Sequence, residues 1–185
     1  MDNMMNEVHL DKMNEVSFRQ LSEYSMTNCV EDKVMLVDCL SRFPFGGAEK
    51  GIVVTDFIAL LFCTDGCLEM NMNGKRYLLC KGDILFCNRG VVLYDVIIST
   101  SCKGKMLCLS WEYGQKLFLR STCQWNSILQ LRCNPLLQPG IEEQELYRAY
   151  YQLFAAKLNC YCYASDIDCI FQGFFYDLYR MTDRY

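Results

Sequence analysis

Cysteine is the residue of this sequence with the widest chemical range, because a thiolate can ligate a metal or act as a nucleophile. The chain has 13 cysteines, and two pairs are close in sequence: Cys63 with Cys67, and Cys160 with Cys162. Structural zinc needs four ligands, usually in pairs whose members are separated by two residues. Neither pair has that spacing, and His9 is the only histidine. We therefore expect no metal site and no cofactor.

The remaining cysteine pattern predicts buried thiols in a cytoplasmic protein. The number of cysteines is odd, most lie inside apolar segments, and the residues after Met1 lack the basic and apolar segments of a secretory signal. Such thiols behave as small apolar side chains in a reducing compartment. A redox-sensing role for Cys63 or Cys67 is an alternative, although nothing near them obviously lowers a thiol pKa. No apolar run reaches the ~18 residues of a membrane span, so no membrane partner is expected.

No catalytic set can be assembled from the other reactive side chains. The sequence has no Gly-rich phosphate loop, and its one histidine precludes histidine-based acid–base catalysis within the strands. Asp65 and Asp83 have the setting of turn residues. Asp95 alternates with Leu93 and Ile97 and so shares one face of a strand with them. We predict that the chain is not an enzyme.

The charge of the chain argues against direct DNA binding. The formal net charge is −4 and the pI is near 5.1, and the basic residues are scattered. DNA-binding domains normally present a basic face, because the neutralisation of phosphates supplies much of their affinity. Contact with DNA would therefore require another module.

The elements that position these residues begin with short β-rich runs separated by turn residues. Asn73-Gly74 joins two of the runs and predicts a type I′ hairpin turn. Seven such runs with no helices between them favour a sandwich or a barrel over a parallel α/β sheet. The predicted strands are Val34–Phe43, Ile52–Cys63, Leu68–Met72, Arg76–Cys80, Ile84–Cys87, Val91–Ser99 and Lys105–Tyr113.

Helices are predicted before and after the strands. Short helices are plausible at Phe18–Tyr24 and Gln115–Arg120, and a longer one runs from Ile141 to Asn159, with acidic residues in its first turn. Ser165 is a suitable N-cap for a last helix that reaches about residue 182. The apolar residues of both long helices recur at spacings of three and four.

The segment Gly66-x7-Gly74-x7-Gly82-Asp83 allows the pattern of strands and turns to be compared with a known protein family. With Phe57–Gly66 before it and Ile84-Leu-Phe86 after it, the segment resembles the cupin superfamily, and within it the N-terminal sensing domain of AraC-type transcription regulators. The resemblance covers roughly residues 35–115, and the helix pair extends it. It implies a mainly β fold, a cupin-like jelly-roll barrel at 34–114, with an N-terminal arm at 1–33 and a helical dimerisation segment at 115–185.

The same resemblance bears on catalysis, because metal-dependent cupins carry histidines and a glutamate in two motifs. Aligned on Gly66, the ligand positions of the first motif fall at or near Val53, Thr55 and Ala59, and that of the second falls at Leu93. None of these residues can ligate a transition metal. The barrel is thus expected to hold a molecule without transforming it.

The resemblance also implies a ligand pocket and a dimer interface, although the same residues are equally suited to plain core packing. In cupins the strand face that corresponds to Asp95 points into the barrel, where an aspartate could bond a ligand hydroxyl and aromatic residues could stack on a sugar. The predicted pocket residues are Thr55, Phe57, Tyr77, Leu93, Asp95 and Trp111. The predicted dimer contacts of the helices are Leu146, Tyr150, Leu153, Ile167, Ile170, Phe171, Phe174 and Leu178.

These inferences predict the effector-sensing and dimerising domain of an AraC-type regulator, with a small molecule as its effector, for which a sugar is the candidate, and a homodimer as its assembly. Regulators of this kind continue into a basic region with two helix-turn-helix motifs, which does not follow here before Tyr185. Either the sequence is cut at a domain boundary or it is a stand-alone sensor. Two alternatives stay open: a metal-free cupin enzyme acting on a sugar, and a ligand-free interaction module with a filled barrel.

Overall fold

A computed structural model of the chain describes residues 14–23, 27–38, 51–119, 122–160 and 164–182. His9, Cys162 and residues 39–43 of the first predicted strand lie outside these ranges. Within them the strands are β1 (Asn14–Val16), β2 (Thr27–Val30), β3 (Val34–Val37), β4 (Ile52–Val54), β5 (Phe57–Asp65), β6 (Cys67–Met72), β7 (Lys75–Cys80), β8 (Ile84–Cys87), β9 (Val92–Ile98), β10 (Lys103–Ser110) and β11 (Leu136–Leu137). The helices are α1 (Phe18–Ser22), α2 (Trp111–Phe118), α3 (Thr122–Cys133), α4 (Ile141–Asn159) and α5 (Ala164–Thr182).

The strands form two sheets that enclose an apolar core. The first sheet has the order β1-β4-β9-β6-β7, and the second has the order β11-β8-β5-β10-β3-β2. All described pairings are antiparallel except that of β1 with β4. Between the sheets lies one continuous cluster of buried side chains, here called the barrel core, to which both sheets contribute. The predicted jelly-roll barrel with helices after it is confirmed.

The second sheet is buried on both faces, which explains the long apolar run in β5. Phe57, Ala59 and Leu61 point into the barrel core, whereas Ile58 and Leu60 point to the opposite face. A strand with one solvated face would alternate apolar and polar residues, and a strand that is covered on both sides need not. The first sheet shows that alternation in β6, where buried and half-buried residues take turns.

The helices cover the outer face of the second sheet. Side chains of α2, α3, α4 and α5 pack with the outward side chains of that sheet into a second apolar cluster, here called the helix-side core. Aromatic rings dominate it: the Phe154 and Phe171 ring centroids are 4.3 Å apart, and those of Phe118 and Phe175 are 4.8 Å apart. The molecule therefore has three layers, two sheets and a helical layer.

The turns at the glycine positions have the predicted geometry. Asn73 and Gly74 both have positive φ angles, 50° and 84°, as a type I′ turn requires. In the Gly82-Asp83 turn, the Asp83 carboxylate accepts a hydrogen bond from the backbone N–H of Cys80 at 2.8 Å. This carboxylate bond satisfies a backbone donor at the point where β7 turns into β8.

Gly66 occupies a position that should accept no side chain. Its φ is +66°, and a Cβ there would stand 2.7 Å from the backbone nitrogen of Cys102. Gly66→Ala should therefore lower the free energy of unfolding by about 2–5 kcal/mol, through left-handed strain and a steric clash. Gly90→Ala is the matched control, because Gly90 has a φ of +82° with open space around it and should cost only the strain, about 1–2 kcal/mol. Urea unfolding measures both, and equal losses would contradict the role of the Cys102 backbone.

Several element boundaries differ from the sequence prediction. Strand β10 ends at Ser110, and Trp111 opens α2 instead of continuing a strand to Tyr113. The backbone N–H of Trp111 donates to the Asp56 carbonyl at 2.8 Å, which turns the chain out of the sheet. Helix α4 has the predicted bounds, and α5 begins at Ala164, so Ser165 lies inside the helix. Strands β1 and β2 fall in the predicted arm, yet both join the barrel sheets.

Candidate functional site

The barrel interior, where the sequence places the ligand pocket, is packed with apolar side chains. Phe57 and Leu93, two of the predicted pocket residues, are almost fully buried in the barrel core. Its members are aliphatic and aromatic residues, methionines and cysteine thiols. These two side chains serve as core, so a ligand could reach them only by displacing their neighbours.

Asp95 does not face the interior, and that prediction is wrong. The pairing of β6 with β9 shifts register between Glu69 and Asn71, and Asp95 has a φ of +52°. This β-bulge reverses the alternation, so that Leu93 points inward whereas Ile97 is 60% exposed. The Asp95 carboxylate lies on the outer face and accepts a hydrogen bond from the Asn71 amide at 2.7 Å.

The other three predicted pocket residues lie apart from one another. The Thr55 hydroxyl donates to the Val16 carbonyl at 3.2 Å and so ties β4 to β1. Tyr77 packs at the edge of the barrel core and borders an open cleft of about 370 Å³ at the barrel mouth. Trp111 packs on the helix-side core, with the Arg89 guanidinium 5.7 Å from its ring. The structure does not bring the six residues together into one pocket.

The positions aligned above with the ligands of metal-dependent cupins carry no histidine or carboxylate. Ala59 and Leu93 are buried in the barrel core, and Val53 and Thr55 are half-buried. Across the described ranges, no three histidines, cysteines, aspartates or glutamates are grouped so that they could hold a metal ion.

Burial makes the cysteines of the barrel poor nucleophiles. Desolvation raises the pKa of Cys63 to about 12, and it raises the pKa of Cys87 to about 12 as well. At neutral pH both are neutral thiols, whereas a redox sensor needs a thiolate. The Cys63 thiol instead donates to the carbonyls of Asp65 and Gly66 at 3.4 and 3.5 Å. The redox alternative for Cys63 gains no support from its surroundings.

Most of the dimer contacts predicted on helix α5 lie inside the molecule. Ile167, Phe171, Phe174 and Leu178 are at most 2% exposed and belong to the helix-side core. They are not free to contact a second copy as predicted, because α2, α3 and α4 already pack against α5. Ile170 packs against the same core and is half-buried.

Helix α4 leaves an apolar strip on its outer side. Leu146 is 37% exposed and Leu153 is 42% exposed. Ala149 and Ala156 are exposed as well, and the four residues follow one another at spacings of three, four and three, here called the α4 stripe. Such spacing places them in one line along the helix. Alanine carries little hydrophobic signal, so Ala149 and Ala156 are absent from the interface predicted from the sequence.

Tyr150, the remaining predicted contact on α4, is held within the helical layer. Its hydroxyl donates to the Asp177 carboxylate at 2.7 Å, which joins α4 to α5. Desolvation and this carboxylate raise the pKa of Tyr150 to about 12, so the hydroxyl stays protonated and remains a donor. No helix in the described part of the chain combines the length and the apolar character that a membrane crossing requires.

Comparison with solved structures places this architecture among known folds. The AraC-like transcriptional activator CuxR superposes with a TM-score of 0.50 at 11% sequence identity, over 70% of this chain and 43% of that chain. The chain shares the fold of the part of this activator on which it superposes. The resemblance drawn from the glycine motif is thereby confirmed at the level of the fold, and the chain spans less than half the length of the activator.

Two further structures are similar over a smaller part of the chain. They are the cupin domain of Cnp3 from Schizosaccharomyces pombe (TM-score 0.33, 12% identity, 44% of this chain and 59% of that one) and EutQ from Clostridium difficile (TM-score 0.28, 12% identity, 44% and 52%). No protein-family model and no curated protein sequence matches this chain.

Proposed function

We propose that this chain is the regulatory domain of an AraC-type transcription regulator, a non-enzymatic module that pairs with a second copy and responds to a small molecule. The observation that carries the proposal is the match to the AraC-like activator, which extends over 70% of the chain. The net charge of −4 agrees with a division of labour in which another module holds the DNA.

The pairing surface is the α4 stripe. Apolar residues in line on an exposed helix face mark an interface, because water contact with them is unfavourable. An antiparallel pair of α4 helices, with its two-fold axis between Ala149 and Leu153, would set Leu153 of one copy against Ala149 of the other. The same register sets Leu146 against Ala156. Each leucine would then fill the space that an alanine leaves, so the stripe is complementary to itself.

The charges of α4 also favour the antiparallel arrangement. Its first turns carry Glu142, Glu143 and Glu145, whereas Lys157 lies in its last turn. Antiparallel pairing brings the acidic end of one helix near the basic end of the other, and it opposes the two helix dipoles. Parallel pairing would bring the acidic ends together.

The oligomeric state tests the proposal. Sedimentation equilibrium at micromolar concentration should give twice the 21.6 kDa of one chain. Fusion of the chain to a DNA-binding module that represses a reporter only when paired should restore repression, since paired half-sites require a paired protein. A monomeric mass together with an inactive fusion would reject the proposal.

A second candidate function is a ligand-free interaction module, and the packing of the barrel core favours it. Under that alternative the domain pairs its DNA-binding partners without sensing anything. A thermal-shift screen with sugars and small metabolites separates the two, because a ligand at a hundred times its dissociation constant should add about 2.7 kcal/mol to stability.

A further inference from the structure

A cleft of about 260 Å³ lies outside the barrel, between α4 and the outer face of the second sheet. Its floor comes from Phe62 and Ile84 on strands β5 and β8, and its wall comes from Tyr147 and Tyr151 on α4. The Phe62 ring meets the two tyrosine rings edge-on, with centroids 5.4 and 6.3 Å away. The cleft therefore offers aromatic surface to a flat apolar group.

Two cations border this aromatic surface. The Lys105 ammonium stands 4.5 Å from the centre of the Tyr151 ring and 3.5 Å from the Asp38 carboxylate. The Arg148 guanidinium bonds the Glu145 carboxylate at 2.6 Å. Both pairs are about half exposed and therefore weak, and each cation has further N–H groups to donate.

The acidic group within the cleft is already engaged. Asp83 lines the cleft, but its carboxylate accepts the backbone N–H of Cys80 at 2.8 Å. The lining thus carries two cations and one acid that is bound to its own turn, while Asp38 and Glu145 pair with the cations at the rim. Because these half-exposed pairs are weak, an anionic ligand can accept from the N–H groups that each cation has left, whereas a cationic ligand would meet like charge.

The cleft is also lined by a tyrosine with an unused donor. The Tyr147 hydroxyl is buried and has no hydrogen-bond partner among the described residues. A buried hydroxyl without a partner is unfavourable, and because this oxygen is fully covered, a ligand acceptor would relieve it only after a shift of the Tyr147 side chain toward the cleft. Burial raises the pKa of Tyr147 well above its ordinary value, so the group is a donor at every physiological pH.

We propose that this cleft binds a small aromatic carboxylate, with its ring against Phe62 and Tyr151 and its carboxylate toward Lys105 and Arg148. The volume lies just below the range of pockets for drug-sized molecules, which fits a ligand with a single ring. Gln144 and Gln152 line the same cleft and supply further polar contacts.

The position of the cleft links it to pairing, and this part of the inference rests on the proposed regulatory function. Helix α4 presents Tyr147 and Tyr151 to the cleft and the α4 stripe to its other side. If α4 can take two positions relative to the sheet, a ligand between them would bind more tightly to one position than to the other. Pairing would then change through the ligand's differential affinity for those positions.

Calorimetric titration with 3-phenylpropionate tests the site. We expect saturable binding of one molecule per chain, whereas 3-phenylpropanol, which lacks the charge, and propionate, which lacks the ring, should bind at least about tenfold more weakly. If 3-phenylpropionate at concentrations up to about 10 mM gave neither heat nor a thermal shift, the proposal would be overturned, because an affinity weaker than that is too low to matter. Equal binding of the alcohol would overturn the role of the cations.

Two variants locate the bound molecule. Lys105→Gln should weaken binding about tenfold, whereas Lys103→Gln, an exposed lysine of the same strand outside the cleft, should leave it unchanged. Tyr147→Phe removes a hydroxyl that bonds nothing in the described part of the chain, so it should keep the melting temperature and still weaken binding severalfold. Binding that neither Lys105→Gln nor Tyr147→Phe reduces would place the ligand elsewhere and overturn the inference. Saturable binding by a chain that is monomeric and inactive in the fusion assay would uphold the site and reject the regulatory function.

Discussion

Replacing Phe171 with alanine should lower the free energy of unfolding by about 3–5 kcal/mol, because the substitution leaves a cavity in the helix-side core. Phe171 is 0% exposed. Its ring centroid lies 4.3 Å from that of Phe154 and 6.0 Å from that of Tyr113, so its loss leaves a cavity bounded by α2, α4 and α5. Urea unfolding followed by circular dichroism measures the change.

The matched control is Tyr176→Ala, an aromatic residue on the same helix that is 55% exposed. Its removal should change the free energy of unfolding by less than about 0.5 kcal/mol, because surface substitutions seldom exceed that. If Phe171→Ala unfolded at the same urea concentration as Tyr176→Ala, the internal packing of α5 would be refuted. The residue would then again be a candidate for contact with a second copy.

The strands were predictable because their signals are local. A positive φ at Asn73 and Gly74 is a property of two adjacent residues, and the hairpin follows from it. The apolar run of β5 predicts a buried strand, although the run cannot say that its two faces enter different cores. The N-terminal strands β1 and β2 carry weaker signals. Each is only three or four residues long and lies at the edge of its sheet, beside an equally short strand, β4 or β3.

The pocket was not predictable because one residue resets the alternation. Strict alternation from Leu93 points Asp95 and Ile97 inward, and the bulge at Asp95 turns both outward. The residue types near Asp95 do not predict the bulge, because aspartate adopts a positive φ angle only occasionally. The cleft beside α4 was missed for another reason. Lys105 and Arg148 are far apart in sequence and meet only when the helix packs on the sheet.

The helices show which part of an amphipathic pattern can be interpreted from sequence. The apolar face of α5 was recognised, but the sequence does not say whether that face meets its own barrel or a second copy. The answer depends on α3, whose buried Ile128 and Leu131 belong to the helix-side core. Because α3 was not predicted, the helical layer seemed too small to cover the aromatic residues of α5. With α3 in place they are covered, and the exposed apolar surface moves to α4.

Replacing Leu153 with glutamate should convert the proposed dimer into a monomer. In a symmetric pair the substitution appears twice, and each buried carboxylate would cost about 2 kcal/mol or more, which weakens dimerisation over about a hundredfold. Leu153 is 42% exposed in the single chain, so the circular dichroism spectrum should not change. Ile97→Glu is the control, since Ile97 is 60% exposed on β9 and lies outside the α4 stripe. Sedimentation equilibrium distinguishes them, and a dimer that tolerates Leu153→Glu would exclude α4 as the contact.

The register of the pair follows from an exchange of large and small side chains. Ala149→Leu alone would place the new leucine of one copy against Leu153 of the other copy, and the crowding should weaken dimerisation. The double variant Ala149→Leu/Leu153→Ala restores one leucine opposite one alanine, so it should dimerise nearly as well as the unmodified chain. This rescue is specific to antiparallel pairing, because a parallel pair would set each residue against its own copy and leave the single and double variants equally crowded at residue 149. A double variant that stays as weak as Ala149→Leu would therefore reject the antiparallel arrangement, while Leu153→Glu would still test α4 itself.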